Sequence, residues 1–72
     1  MARLVVKDSK LLKVLMKNFR FTALRQRGSH IRLTDGIHKV TIAIHNRELK
    51  EGTLHSILEQ AGLTKKDIED KL

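Results

Sequence analysis

The residues of this chain that are best suited to chemistry lie in one short segment, Arg25-Gln26-Arg27-Gly28-Ser29-His30. A histidine titrates near neutral pH, so it can accept or donate a proton during a reaction. Arginines bind phosphate oxygens through paired hydrogen bonds, and Arg32 adds a third guanidinium group close by. The Gly28-Ser29 turn allows a phosphate backbone to approach closely, because glycine has no side chain and tolerates left-handed turn geometry. We therefore expect His30 to act on a phosphate ester.

RNA is the phosphate ester that this segment fits best. Cleavage of RNA without a metal needs a base that removes the proton of the ribose 2′-hydroxyl and cations that stabilise the crowded phosphate. His30 can supply the base, and arginine or lysine side chains can supply the cations. DNA lacks the hydroxyl, so the mechanism predicts specificity for RNA. The eight Asp and Glu residues are scattered, whereas two-metal catalysis needs clustered carboxylates. We expect neither a metal nor another cofactor.

The composition also favours a nucleic acid as the partner. Fifteen Lys and Arg against eight Asp and Glu give a net charge of +7 over 72 residues, and four arginines lie between Arg20 and Arg32. The chain lacks Trp, Tyr and Cys, so we expect backbone and shape recognition rather than base stacking, and no thiolate zinc site. There is no long apolar run and no signal peptide. The expected location is the cytoplasm, without a membrane partner.

The periodicity of apolar residues predicts the elements that position the segment. Helical spacing predicts a first helix over about Ser9–Asn18 and a second that begins at Gly52-Thr53 and ends at Gly62, in a left-handed cap. Thr64 and Asp67 predict a short final helix, from which Ile68 and Leu72 return to the core. Alternating residues predict three strands, at Phe19–Arg27, His30–Thr34 and Lys39–His45. Opposite parities of the apolar residues indicate a bulge in the first strand.

The predicted order is α-β-β-β-α plus a short terminal helix, in one α+β domain over residues 1–72. Three consecutive antiparallel strands make a meander with the helices on one face, so the other face stays open to solvent. Double-stranded-RNA-binding domains have the same topology, although a fold alone does not establish a function.

Strand alternation assigns the side chains to faces. If Ile31 and Leu33 point to the core, the open face receives His30, Arg32 and Thr34 from the second strand and Lys39, Thr41, Ala43 and His45 from the third. A two-residue turn at Asp35-Gly36 pairs His30 with Thr41 and Arg32 with Lys39.

This register separates the histidines of the second and third strands. His45 then lies about 13 Å beyond Thr41 at about 3.3 Å per residue, which is too far for His30 and His45 to flank one phosphate. We expect His38 to point inward near the turn, and His55 lies on the second long helix. The roles of these three histidines stay open.

Two segments together resemble the HicA family of messenger-RNA interferase toxins. They are Arg25-Gln26-Arg27-Gly28-Ser29-His30 and the stretch from Glu48 to Leu63, which contains Gly52-Thr53-Leu54 and closes on Ala61-Gly62-Leu63. The resemblance extends from the first helix to the Ile68–Leu72 segment. One departure is Asn18, which stands where the family commonly has glycine before Phe19; asparagine can still adopt a left-handed cap.

The resemblance implies a fold like that of double-stranded-RNA-binding domains and metal-independent cleavage of RNA. The histidine of the family's Gly-Ser-His motif is its catalytic residue, and here that position is His30. The family acts as the toxin half of a toxin–antitoxin pair, inhibited by a HicB-type antitoxin that covers the active face. An acidic partner suits a chain with a charge of +7.

We therefore predict an endoribonuclease toxin that cleaves RNA with a single catalytic histidine, His30, and so inhibits translation. The residues assigned to RNA binding are Arg25, Arg27, Gly28, Ser29, Arg32, Lys39, Thr41 and Lys50. The alternative is an RNA-binding domain of the same fold that cleaves nothing, and composition does not separate the two. A DNA-binding partner of a repressor ranks last, because no helix carries a basic recognition stripe.

Overall fold

The structure is a computed structural model, and it describes residues 4–72. Three helices flank one sheet: α1 is Asp8–Asn18, α2 is Glu51–Ala61 and α3 is Lys65–Glu69. The strands are β1 (Thr22–Arg27), β2 (His30–Thr34) and β3 (Lys39–Ala43), and they form an antiparallel sheet in the order β1-β2-β3. The predicted α+β class, the order of elements and the open sheet are confirmed. No helix within residues 4–72 has the length and apolar character needed to cross a membrane.

The hydrophobic core lies between the helices and one face of the sheet. Its side chains with no measurable exposure come from α1, β2, β3, α2 and α3: Leu11, Leu15, Leu33, Val40, Ile42, Leu54 and Ile68. In contrast, all six residues of β1 are exposed. The first strand therefore extends the sheet beyond the area that the helices cover, and it carries the arginine segment into solvent.

The chain enters β1 through a left-handed turn. Phe19 and Phe21 both donate their backbone N–H to the carbonyl of Leu15, at 3.2 and 3.1 Å. Arg20, between them, has a φ of 60°, and this conformation allows Phe21 to be buried. The expectation of a left-handed Asn18 is therefore wrong, because Asn18 is the last residue of α1. The predicted bulge in β1 is confirmed, since the pairing with β2 shifts between Ala23 and Arg25.

The turn between β2 and β3 contains four residues rather than the predicted two. The Asp35 carboxylate accepts the backbone N–H groups of Ile37 and His38 at 2.9 and 2.6 Å, and Thr34 Oγ1 donates to the His38 carbonyl at 2.8 Å. The longer turn moves the register by two residues, so the prediction of His30 opposite Thr41 is wrong. The observed pairs are His30 with Ala43, Arg32 with Thr41 and Thr34 with Lys39. An even shift leaves every side chain on its predicted face.

Near the carboxy terminus, the end of α2 and the start of α3 agree with the prediction, but the position of Leu72 does not. Gly62 ends α2 with a φ of 72°, and Thr64 and Asp67 form a capping box at the start of α3, as predicted. Ile68 is buried, but Leu72 is 41 % exposed, so the prediction that Leu72 returns to the core is wrong. The reason is that α3 ends at Glu69, so Leu72 no longer follows the helical spacing that would place it beside Ile68.

Candidate active site

His30 stands at the start of β2 in a row of paired residues across the open face of the sheet. Its partners are Arg27 on β1 and Ala43 on β3. Side chains that are directly opposite each other in an antiparallel pair project from the same face, with Cβ atoms about 4.5–5.5 Å apart. The imidazole of His30 and the guanidinium of Arg27 are therefore neighbours, and both residues are exposed to solvent.

The next row of the sheet adds two more guanidinium groups. Arg25 pairs with Arg32, and Arg32 pairs with Thr41. Like charges directly opposite each other destabilise a strand pair, so this arrangement contributes nothing favourable to the fold by itself. An anion that binds between the two guanidinium groups would remove the repulsion. The row has the composition of a phosphate-binding surface.

These two rows form one shallow depression, which we call the arginine depression. It is lined by Arg25, Arg27, His30, Arg32 and Thr41. All five residues were assigned to the site from the sequence. The directions of the Arg25 and Arg27 side chains depend on the bulge at Leu24, which decides which residues of β1 face the open side. These directions could therefore not be deduced from the sequence.

A second depression adjoins the first, between β3, the segment that follows it and α2. We call it the α2 depression, and His45, Lys50 and Gln60 are among the residues that line it. His30 and Thr41 line both depressions. The two depressions therefore adjoin at His30 and Thr41, and we call them together the groove.

The turn before His30 has the geometry predicted from its glycine. Gly28 and Ser29 connect the paired residues Arg27 and His30, and Gly28 has a φ of 60° whereas Ser29 keeps a negative φ. This combination is typical of a type II′ hairpin turn, in which glycine occupies the first central position. Apart from Gly28 itself and its two chain neighbours, no atom of residues 4–72 lies within 4 Å of the place where a Cβ of Gly28 would stand, so the backbone here is open to a ligand.

A buried carboxylate holds the segment that follows β3. Asp8 is 2 % exposed, and it accepts backbone N–H groups from Ser9 at 2.6 Å, His45 at 2.8 Å and Arg47 at 3.4 Å. Burial acts to raise the pKa of Asp8, but these three N–H groups outweigh it and hold the pKa below the usual range of a carboxyl. Asp8 is the first residue of α1, after the N-cap Lys7.

The observed register brings His45 close to His30. His45 lies two residues beyond Ala43, which is the partner of His30 and the last residue of β3. Two extended residues span about 7 Å, whereas the predicted register put four residues, or about 13 Å, between the partner of His30 and His45. Both residues line the α2 depression. The prediction that His45 is too remote to share a phosphate with His30 is therefore wrong, and its cause is the length of the turn at Asp35.

A comparison with known protein families agrees with this architecture. The model of one family, described as HicA toxin of bacterial toxin-antitoxin, matches residues 9–63. The chain belongs to the HicA toxin family. The matched region contains all three strands, α2 and the whole of the arginine depression. No curated protein and no solved structure matches the chain.

Two further residues assigned to the site of this HicA toxin lie away from His30. Lys50 lines the α2 depression just before the start of α2. Lys39 pairs with Thr34 at the opposite end of the sheet from His30, and it lines neither depression. Ser29 joins the turn before His30 to the residue after β3, because its carbonyl accepts the N–H of Ile44 at 2.7 Å.

The other two histidines of this HicA toxin lie outside both depressions. Nδ1 of His38 is 3.0 Å from Asp35 Oδ2, and this side-chain hydrogen bond, together with backbone N–H groups, lowers the pKa of Asp35. The half-buried ring of His38 lies against Gly62. His55 is 71 % exposed and contacts Glu59 at 3.2 Å. Among residues 4–72, no three histidine or carboxylate side chains are grouped so that they could hold a metal ion.

The polar face of α2 was missed by the sequence reasoning. Thr53, Ser56 and Gln60 line the α2 depression, and Gln60 Oε1 accepts the backbone N–H of Thr41 at 3.4 Å. These three residues recur at i, i+3 and i+7, which places them on one side of a helix. The sequence therefore shows that these residues share one side of α2. Only the position of α2 beside the edge strand β3 shows that this side faces the depression.

Proposed function

We propose that this HicA-family toxin is a metal-independent endoribonuclease that cleaves messenger RNA, with His30 as the general base. The observation that supports this most strongly is the position of His30 in the groove. Its imidazole is exposed, it neighbours the guanidinium of Arg27, and the Arg25–Arg32 pair forms the adjacent row. A proton acceptor is thus placed beside three cations on an open surface, which suits a phosphodiester whose neighbouring hydroxyl must lose a proton.

The proposed reaction begins at the ribose next to the scissile phosphate. The neutral imidazole of His30 takes the proton of the 2′-hydroxyl, and the 2′-oxygen attacks phosphorus. The guanidinium groups of Arg27, Arg25 and Arg32 stabilise the negative charge that develops on the phosphate oxygens. The bond from phosphorus to the 5′-oxygen then breaks, and the departing oxygen takes up a proton. The products are a 2′,3′-cyclic phosphate and a 5′-hydroxyl.

RNA binding is proposed to follow the groove on both sides of His30. Arg25, Arg27, Arg32 and Thr41 contact the phosphate in the arginine depression, and the backbone of Gly28 and Ser29 lets the strand approach closely. Lys50 contacts a phosphate in the α2 depression, and Lys39 reaches one further along the same face of the sheet. Messenger RNA as the substrate implies that the protein acts in the cytoplasm.

Inhibition is proposed to come from a HicB-type antitoxin that covers the same face. Membership of the HicA family implies an antitoxin partner. A net charge of +7 and the cluster of arginines on the open face favour an acidic partner surface. Such a partner would compete with RNA both for the space above His30 and for the guanidinium groups.

The proposal is tested by incubating the purified protein with single-stranded RNA, and with DNA of the same sequence, in EDTA. We expect cleavage of the RNA alone, with products that carry 2′,3′-cyclic phosphates and 5′-hydroxyls. His55→Ala is the matched control, because His55 is exposed and lines neither depression; it should cleave as the unchanged protein does. Binding of RNA without cleavage would instead identify an RNA-binding domain that is not an enzyme.

A further inference from the structure

We propose that His45 is a second catalytic residue, which donates the proton that the departing 5′-oxygen takes up. This inference rests on the proposed ribonuclease function and deepens it. It starts from the shared lining of the α2 depression by His30 and His45 and from the short stretch, about 7 Å when extended, between His45 and Ala43, the partner of His30. In a displacement at phosphorus, the attacking and departing oxygens lie on opposite sides of the phosphorus atom. Imidazoles that line one depression from β2 and from the segment after β3 can reach a phosphate bound there from two sides.

The main chain at His45 is fixed rather than free. Asp8 Oδ2 accepts the N–H of His45 at 2.8 Å and the N–H of Arg47 at 3.4 Å, and the N–H of Asp8 donates to the carbonyl of Arg47 at 2.9 Å. A buried carboxylate is costly unless it is well satisfied, and here its hydrogen bonds hold a short segment beside the groove. We assign Asp8 as a positioning residue, which acts through the backbone of His45 and does not touch RNA.

The charges around His45 are mixed in sign. Two acidic residues, Asp8 and Glu48, and two basic residues, Arg47 and Lys50, line the α2 depression together with His30. The acidic and basic groups are thus equal in number, and binding of an RNA phosphate adds a further negative charge close to the two imidazoles.

The proposed step balances without any additional reactant. One proton passes from the 2′-hydroxyl to His30 as the bond from the 2′-oxygen to phosphorus forms. The electron pair of the breaking bond goes to the 5′-oxygen, and that oxygen receives a proton from the imidazolium of His45. The enzyme returns to its starting state when the proton on His30 exchanges with water and His45 is protonated again.

The experiment compares two RNA substrates that differ in one atom. After the cleavage position is mapped with the unchanged protein, the same RNA is synthesised with oxygen or with sulfur as the bridging 5′-atom. A thiolate leaves without being protonated, so it needs no general acid. We expect His45→Ala to cleave the oxygen substrate about 100-fold more slowly, or worse, and the sulfur substrate within about threefold of the normal rate. His30→Ala should be slow on both substrates, and the control His55→Ala should be normal on both.

Asp8→Asn tests whether Asp8 positions His45, because a purely structural role would lower the activity on both substrates equally. If Asp8 positions His45, this variant loses more activity on the oxygen substrate than on the sulfur substrate, with an unchanged circular dichroism spectrum. If His45→Ala loses activity equally on both substrates, or loses none, the role of His45 is overturned. In that case, cleavage by the unchanged protein still supports the ribonuclease function. If the unchanged protein cleaves neither substrate, the ribonuclease function fails and the acid fails with it.

Discussion

Asp8→Ala removes a buried acceptor that ties the start of α1 to the segment after β3. The carboxylate accepts the N–H of His45, 37 residues away in the sequence, at 2.8 Å and the N–H of Arg47 at 3.4 Å. A hydrogen bond to a charged group contributes about 1.5–3 kcal/mol, and the longer contact to Arg47 adds about 0.5 kcal/mol. Water can replace the contact to Ser9 in the first turn of α1. The expected loss in the free energy of unfolding is therefore about 2–4 kcal/mol.

This loss is large for a chain of 72 residues, for which a total stability of about 4–11 kcal/mol is typical. The effect should depend on pH in a defined direction. Burial opposes ionisation of Asp8, but the backbone N–H groups dominate, so the folded-state pKa lies below the usual value of 3.8. A lowered pKa contributes stability that is fully present above 3.8 and is lost as the pH falls through the folded-state pKa.

Urea-induced unfolding, followed by far-ultraviolet circular dichroism at several pH values, measures this effect. Asp8→Asn serves as the matched variant, because its amide oxygen can still accept one N–H; we expect it to lose about half as much stability as Asp8→Ala. The difference between the unchanged protein and either variant should be constant above about pH 5 and should shrink as the pH falls below 3.8. A loss below about 0.5 kcal/mol for Asp8→Ala, or a difference that stays constant in acid, would refute the assigned role of this carboxylate.

Three further predictions concern the turn before His30, the end of α2 and the arginine depression. Gly28→Val should lower the free energy of unfolding in urea by about 1–2 kcal/mol, because the φ of Gly28 is 60°. Gly28→Asn should lose less stability, since asparagine tolerates this conformation. Equal losses of stability in the two variants would contradict the assigned geometry of the turn. Gly62→Ala should lose more than the roughly 1 kcal/mol of left-handed strain, because its Cβ would lie 2.5 Å from His38 Nε2. The excess should vanish in a His38→Ala background, and additive losses in the double-mutant cycle would show that the ring does not clash. Arg25→Ala should reduce the slope of log affinity for single-stranded RNA against log salt concentration by about 0.7, as measured by fluorescence anisotropy. Lys66→Ala is the control. Equal slopes for the two variants would argue against a phosphate contact in the arginine depression.

The faces of the strands could be predicted from the sequence because they depend only on parity. Alternation placed His30 and Arg32 on the open face, and the structure has them there, with Leu33, the residue after Arg32, buried in the core. The register could not be predicted, because it depends on the length of the turn. The Asp-Gly pair is typical of a two-residue turn, but side-chain hydrogen bonds from Thr34 and Asp35 close a four-residue turn instead.

That error in the register led to the exclusion of His45. With the predicted register, His45 was excluded on distance, and the α2 depression could not be foreseen. Asp8 was missed for a different reason: an acidic residue at the start of a helix is typical of a cap, and nothing local in the sequence indicates a partner 37 residues away. In contrast, the end of α2 and the start of α3 were predicted well, because Gly62, Thr64 and Asp67 act through their own neighbours.

The central claim is that the imidazole of His30 removes a proton from RNA, and single-turnover cleavage by His30→Ala tests it most directly. With enzyme in excess over a labelled RNA, in EDTA, we predict that the cleavage rate falls by at least about 100-fold, while the affinity for the RNA and the circular dichroism spectrum stay the same. A rate within a few-fold of that of the unchanged protein would contradict the account, because the proton would then leave the 2′-hydroxyl by a route that does not involve His30.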